Sequence, residues 1–211
     1  MDASLSQDPR LARVDVIGVP ITATNMADCM ALISERLDDM RGGYVCVSNA
    51  HTCVMAHDDP AYWAVQAGST MSVPDGKPLS VVGSKAVPTM GRVTGPDLMR
   101  EVFSASAERG WSHYFYGNRQ ENLEALRDPR QEVLMAELMD RTRSLMVGVG
   151  GAFNILAGVT PEAPQWMQDA SLEWLYRLIQ EPGRLIKRYA TTNTKFIWYQ
   201  LTNARRKETR E

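Results

Sequence analysis

The sequence predicts an α/β fold: a mostly parallel sheet flanked by helices, with a basic helical appendage at the C-terminal end. Three observations carry this. Short β-branched runs alternate with stretches whose apolar residues recur at helical spacing, the pattern of a parallel sheet with crossover helices. Polar residues fall just past the ends of those runs, where open α/β sheets bind their ligands. Charge is split along the chain: the net charge is −2 over 211 residues, yet Arg177–Glu211 holds nine Lys/Arg against three Glu, which leaves −8 for residues 1–176.

Taken in order, Val14–Ile21 reads as a strand or hairpin arm, with Pro20 confining it to an edge or a strand end. Thr24 or Asn25 caps a helix built on Met26, Met30, Ile33 and Leu37, and Gly42-Gly43 stops it. Tyr44–Ser48 is a buried strand that opens at Asn49-Ala50-His51 into a helical stretch through Met55. Pro60 starts another helix, Gly68 ends it, and Thr70–Val73 is the next strand. Pro96 suits the first turn of a helix over Asp97–Glu108, closed by Gly110. His113–Tyr116 reads as a third core strand ending at Gly117-Asn118, and Glu121–Arg127 as helical. Pro129–Glu132 opens a helix through Met139, and Leu145–Val149 is a fourth strand. Trp166–Gln180 is one long amphipathic helix, Glu181-Pro182-Gly183 a break, and Arg184–Leu201 a final basic and aromatic helix. That break separates a core of residues 1–180 from an appendage, 181–211.

Composition narrows the function. A chain of 211 residues with 44% apolar and 23% charged residues builds one ordinary globular core. Cys29, Cys46 and Cys53 lie in apolar segments and read as reduced, packed thiols of a cytosolic protein. The N-terminus lacks the basic-then-apolar pattern of a signal peptide, and no run approaches the roughly 18 apolar residues that span a bilayer. His51, His57 and His113 have no partner at metal spacing, so neither a metal nor another cofactor is expected. No P-loop and no nucleophile–base pair for acyl transfer is present. Lys195, Phe196, Trp198 and Tyr199 in the basic tail suit an anionic membrane surface. Nucleic acid is disfavoured, because the acidic remainder would repel a phosphate backbone.

Three motifs bear on chemistry. "VPDGKP" (73–78) is turn chemistry, but Asp75 falls past a predicted strand, as Asn49 does, at the lip where a carboxylate can take a proton. "VGVGGAF" (147–153) is a glycine turn after a strand, where backbone N–H groups can approach a phosphate. "PRQE" (129–132) is a helix start in which Gln131 can read a base or sugar edge.

These stretches recur in order with "VCVSNAHTCVMAHDDPAYW" (45–63), "VPDGKPLSVVG" (73–83), "RVTGPDLM" (92–99), "YFYG" (114–117), "VGVGGAFNILAG" (147–158) and "APQWMQDASLEWLYRLIQEPGRLIKRY" (163–189). Together they resemble the WecG/TagA/CpsF glycosyltransferases, bacterial enzymes that transfer a sugar from a UDP donor to a lipid-diphosphate-linked acceptor. The resemblance implies a Rossmann-like core with a catalytic carboxylate at Asp75 and a substrate-positioning group at Asn49. It places Gln131, Gly150, Gly151 and Phe153 around UDP. It implies that the appendage, with Arg184 and Arg188, completes the site at the cytoplasmic face of the membrane. Arg92 and Thr94 are then expected to orient sugar or phosphate, and the oligomeric state, a homo-oligomer included, stays open. The chain also departs from the family. Val47 stands where a Thr is common, and Asn154 where many members have an acid. Between "YFYG" and "PRQE" only Asn118–Asp128 intervenes, so a βαβ-sized block of on the order of 30 residues is missing. A shortened copy that binds UDP-sugar or membrane without transferring is therefore the alternative reading.

Overall fold

The computed structural model describes residues 5–114, 130–156, 158–170 and 172–208. Two short 3₁₀ turns, Leu5–Gln7 and Pro9–Leu11, lead into an antiparallel hairpin of β1 (Arg13–Val16) and β2 (Val19–Thr22). Val16 pairs with Val19, so Ile17-Gly18 is a two-residue turn with φ of +51° and +86°. Positive φ is natural for Gly18 and strained for a β-branched residue. Burial of the Ile17 side chain, 1% exposed, offsets that strain. The tip is held from outside as well: the Ile17 carbonyl accepts from His57 Nδ1 at 2.7 Å and the Gly18 carbonyl from Trp63 Nε1 at 2.8 Å.

The main sheet is parallel, in the order β4-β3-β5, from β3 (Tyr44–Ser48), β4 (Met71–Pro74) and β5 (Met146–Gly148). Every residue of the central strand β3 is buried, which is why it reads as a continuous apolar run rather than an alternation. Its side chains still divide by face. Val45 and Val47 join Met71 and Val73 against Cys29, Leu32 and Ile33 of α1 (Met26–Arg36) and Leu98 of α5 (Gly95–Arg109). Tyr44 and Cys46 pack on the opposite side with Met135 of α6 (Arg130–Glu137). On that side lie α2 (Ala50–Asp58) and α3 (Pro60–Gly68), which bury Cys53, Val54 and Tyr62 with the hairpin and with Leu79 of α4 (Lys77–Gly83). A parallel sheet between two helical layers is the α/β architecture that the alternation predicts, and it is consistent with the Rossmann-like core that the resemblance implies.

Caps explain the boundaries. Asn25 accepts from the Asp28 N–H at 3.0 Å to start α1, Asp59 from the Ala61 N–H at 2.9 Å to start α3, and Gly110 closes α5 in the left-handed region at φ +67°.

Two expectations change. The long helix over Trp166–Gln180 is two helices, α8 (Gln165–Asp169) and α9 (Glu173–Gln180). The Leu172 N–H reaches back five residues to the Met167 carbonyl at 2.7 Å, a Schellman-type closure that ends α8. His113 and Tyr114 lie in irregular backbone, not in a strand. His113 is drawn to α5 instead, bonding the Ser106 hydroxyl at 2.7 Å and packing edge-on against Phe103. The rest of that expected strand, the helix over Glu121–Arg127 and the shortened stretch 118–128 lie outside the described residues.

After α7 (Ala152–Leu156), α8 and α9, the chain ends in α10 (Pro182–Glu208), with Pro182 in its first turn. Leu185, Thr192 and Phe196 of α10 are buried. Thr192 meets His51 Nδ1 at 3.1 Å, Tyr199 stacks on His57 at 3.9 Å, and Asp58 accepts from Lys195 Nζ and the Tyr199 hydroxyl, both at 2.6 Å. The basic helix thus lies against α2.

Candidate active site

The carboxyl ends of all three strands of the main sheet lead towards helix N-termini: β3 through Asn49 to α2, β4 through Asp75-Gly76 to α4, and β5 through Gly150-Gly151 to α7. Strand order reverses between β3 and β5, so the ligand crevice of such a sheet opens at their ends. The start of α5 closes in on the same edge. A Cβ on Gly95 would come within 2.8 Å of the Val149 carbonyl oxygen, so only glycine lets these two segments meet.

Asn49 and Asp75 are brought together. Asn49 caps α2: its Oδ1 accepts from the N–H groups of His51 and Thr52 at 3.0 and 3.2 Å, and Thr52 Oγ1 accepts from the Asn49 N–H at 2.9 Å. With Oδ1 committed, the amide nitrogen is what donates to the Asp75 carboxylate. Asp75 itself bonds the Ser48 carbonyl through its backbone N–H at 2.6 Å, and Gly76 at φ +98° swings the chain into α4. The Pro-Asp-Gly stretch is therefore a turn and, at the same time, the mount of a carboxylate. Behind it, a buried hydroxyl–amide network ties the strand ends together. Ser48 Oγ lies 2.7 Å from both Gln66 Oε1 and Ser72 Oγ, and Gln66 Nε2 donates to the Tyr62 hydroxyl at 2.9 Å.

Burial pushes the Asp75 pKa up to about 6. Arg177 and Arg92 oppose that shift, Glu173 adds to it, and the hydrogen bond from Asn49 opposes it. A carboxylate so held is mostly ionised at neutral pH and more basic than a surface Asp, which is what a general base requires.

Gln131 and the glycine turn also meet: the Gly150 N–H donates to Gln131 Oε1 at 3.3 Å, with Gly150 at φ +58° and open space beside it. Phe153, half-buried, follows in α7. Arg92 spends its guanidinium on Glu173, with Nη2–Oε1 at 2.7 Å and Nη1–Oε2 at 2.9 Å. The Thr94 hydroxyl caps α5, accepting from the Asp97 N–H at 3.2 Å and donating to Asp97 Oδ2 at 2.6 Å. The side chains of Arg184 and Arg188 lie outside the described part of α10. Glu173 and Arg177 were not singled out in the sequence. Their signal was a Glu four residues before an Arg on one helix face, which ordinarily reads as a solvent pair.

Among the described residues no cluster of three metal-ligating side chains occurs. No described helix is long and apolar enough to cross a membrane.

A carboxylate of raised pKa at the carboxyl edge of a parallel sheet has the chemistry of a general base. The sequence model described as "Glycosyl transferase WecG/TagA/CpsF family" matches residues 14–128 and 125–210, nearly the whole chain. On that match the chain is a glycosyltransferase and belongs to the WecG/TagA/CpsF family.

Proposed function

We propose that this chain is an inverting glycosyltransferase that moves a hexosyl or N-acetylhexosaminyl group from a UDP-sugar to a polyprenyl-diphosphate-linked acceptor, in bacterial cell-surface polysaccharide synthesis. The observation that carries the reading is Asp75: a half-buried carboxylate past β4, raised to a pKa of about 6, bonded by Asn49 and faced by Arg92 and Arg177.

An acceptor hydroxyl is a poor nucleophile at neutral pH, and a positioned base contributes about 10²–10⁴-fold. In one displacement the acceptor oxygen bonds to the anomeric carbon while the bond from that carbon to the UDP oxygen breaks. The hydroxyl proton passes to Asp75, and the electron pair leaves on the diphosphate. Arg177 and the N–H groups at the helix starts stabilise that growing charge. Gln131, Gly150, Gly151 and Phe153 frame the UDP side of the crevice. Arg92 and Thr94 order the wall facing the donor. Arg184 and Arg188, one helical turn apart at the start of α10, grip the acceptor diphosphate.

Exposed Trp166, Trp174, Ile179, Ile186, Ile197, Trp198 and Leu201, beside the net positive charge of residues 177–211, support a peripheral position on the inner face of the cell membrane. The second reading is a silent binder of UDP-sugar or membrane. The family match in two segments that join at 125–128, inside the shortened stretch, favours it.

One assay separates the two. Wild type and Asp75→Asn are given a UDP-sugar panel with and without a lipid-diphosphate acceptor, and UDP release and UDP binding are measured. Acceptor-dependent release by wild type alone, with both proteins binding UDP, supports the base. Equal release by both sinks it. Binding without release by wild type leaves the binder.

A further inference from the structure

Helix α9 is poorly provided for on its own. It has eight residues, no side-chain cap at its N-terminus and no fully buried residue. Helices this short do not persist in water without outside contacts. It is set off from its neighbours by the closure at Leu172 before it and by the non-helical backbone of Glu181 after it. It packs on α8 and α10, with an edge contact between Trp174 and Tyr189 at 6.2 Å between ring centroids, and among the described residues the fork between Glu173 and Arg92 ties it to the sheet edge.

That fork is anchored at the site. Arg92 precedes Val93, whose N–H donates to the Pro74 carbonyl at 2.8 Å, so the cation is fixed to the end of β4 one residue from Asp75. Both partners are largely shielded, at 20% and 31% side-chain exposure, and bidentate guanidinium–carboxylate pairs are strong and directional. Arg177 lies one turn beyond Glu173 on the same helix face, and its charge reaches Asp75.

We propose that Glu173 is a positioning residue: its fork on Arg92 latches α9 to the carboxyl edge of the sheet and thereby holds Arg177 beside Asp75. The kinetic consequence rests on Asp75 acting as the base; the latch itself does not. The groups acting on Asp75 are Arg177 and Glu173 from α9, Arg92 from the loop before α5, and Asn49 at the start of α2. Losing the latch removes Arg177 from the leaving diphosphate, so it lowers kcat more than it raises the donor KM.

The test uses the full chain. Hydrogen exchange by mass spectrometry compares wild type with Glu173→Gln, and the expected result is exchange about tenfold faster in the peptide spanning 172–180, with β3 and β4 unchanged. UDP release is then measured for Glu173→Gln, Arg177→Gln and the double variant. Glu173→Gln is expected to lose about 10- to 100-fold in kcat, and the double variant to be no slower than Arg177→Gln alone, as for two residues acting through one contact. Wild-type exchange in α9 of Glu173→Gln would overturn the latch. Fully additive losses would show that Glu173 acts apart from Arg177. A wild type that transfers no sugar would defeat the reading of Asp75, while the exchange measurement still decides the latch.

Discussion

Asp75 shows how burying a carboxyl works against stability. Its carboxyl binds a proton at about pH 6 in the folded protein and near the ordinary 3.8 of an aspartate when unfolded. Between those two values the folded state holds more protons, so stability falls as pH rises through that window. At pH 7 the buried charge costs up to about 3 kcal/mol. Asp75→Asn keeps the shape and still accepts from Asn49, so it is expected to raise stability in urea by about 1–3 kcal/mol at pH 7 and to lose that gain below pH 4. In the same variant transfer should fall about 10²–10⁴-fold. A variant less stable than wild type at pH 7 would contradict the burial argument. For the wild type, log kcat/KM should drop with unit slope below about pH 6, and this limb should vanish in Asp75→Asn. Much of this was legible in sequence, because proline, aspartate and glycine after an apolar run specify both a turn and a strand end. Arg177 was not, since only the folded chain brings α9 to Arg92 and the charge of Arg177 to Asp75.

At the scale of elements, local signals decided success. β3 and β4 were legible from β-branched runs with polar residues behind them, α1 from its cap, α3 from Pro60 and Gly68, and α5 from Pro96 and Gly110. The boundary between α8 and α9 was hidden because amphipathic spacing continues across the closure at Leu172. His113 and Tyr114 carry strand-like aromatic character, but the imidazole finds its partner in Ser106 of α5. The last helix illustrates a different limit. Composition revealed its basic and aromatic character, while its docking on α2 depends on which face turns inward. Phe196, 6% exposed, anchors that face. Phe196→Ala should cost about 3 kcal/mol in urea unfolding, through lost burial and the cavity left behind. Lys195→Ala should change stability far less, because its pair with Asp58 is open to solvent. Comparable effects from the two would mean that charge rather than packing seats α10.

Across the whole molecule, opposite faces of α10 do different work. At 100° per residue, Leu185, Thr192 and Phe196 share the side that meets α2, and Ile186, Ile197 and Leu201 share another that stays exposed with Trp198 at its border. An apolar stripe that the fold leaves uncovered, in a region of net +6 attached to a remainder of −8, suits a surface that is both apolar and anionic. Lipid interfaces fit that description, and the acidic body would be held off the bilayer while α9 and α10 approach it. Vesicles containing anionic lipid should therefore pull the protein down, with a blue shift of tryptophan emission, and purely zwitterionic vesicles should do so weakly. Raising salt from 50 to 500 mM should weaken binding to anionic vesicles without abolishing it, since surface charge is screened and apolar contact is not. The double variant Ile197→Ser/Trp198→Ser leaves the α2-facing side intact, so it should keep its urea midpoint while losing most of the binding that survives high salt. Equal sedimentation with and without anionic lipid, or a double variant that binds like wild type, would reassign that stripe to another partner, such as a second copy of the chain.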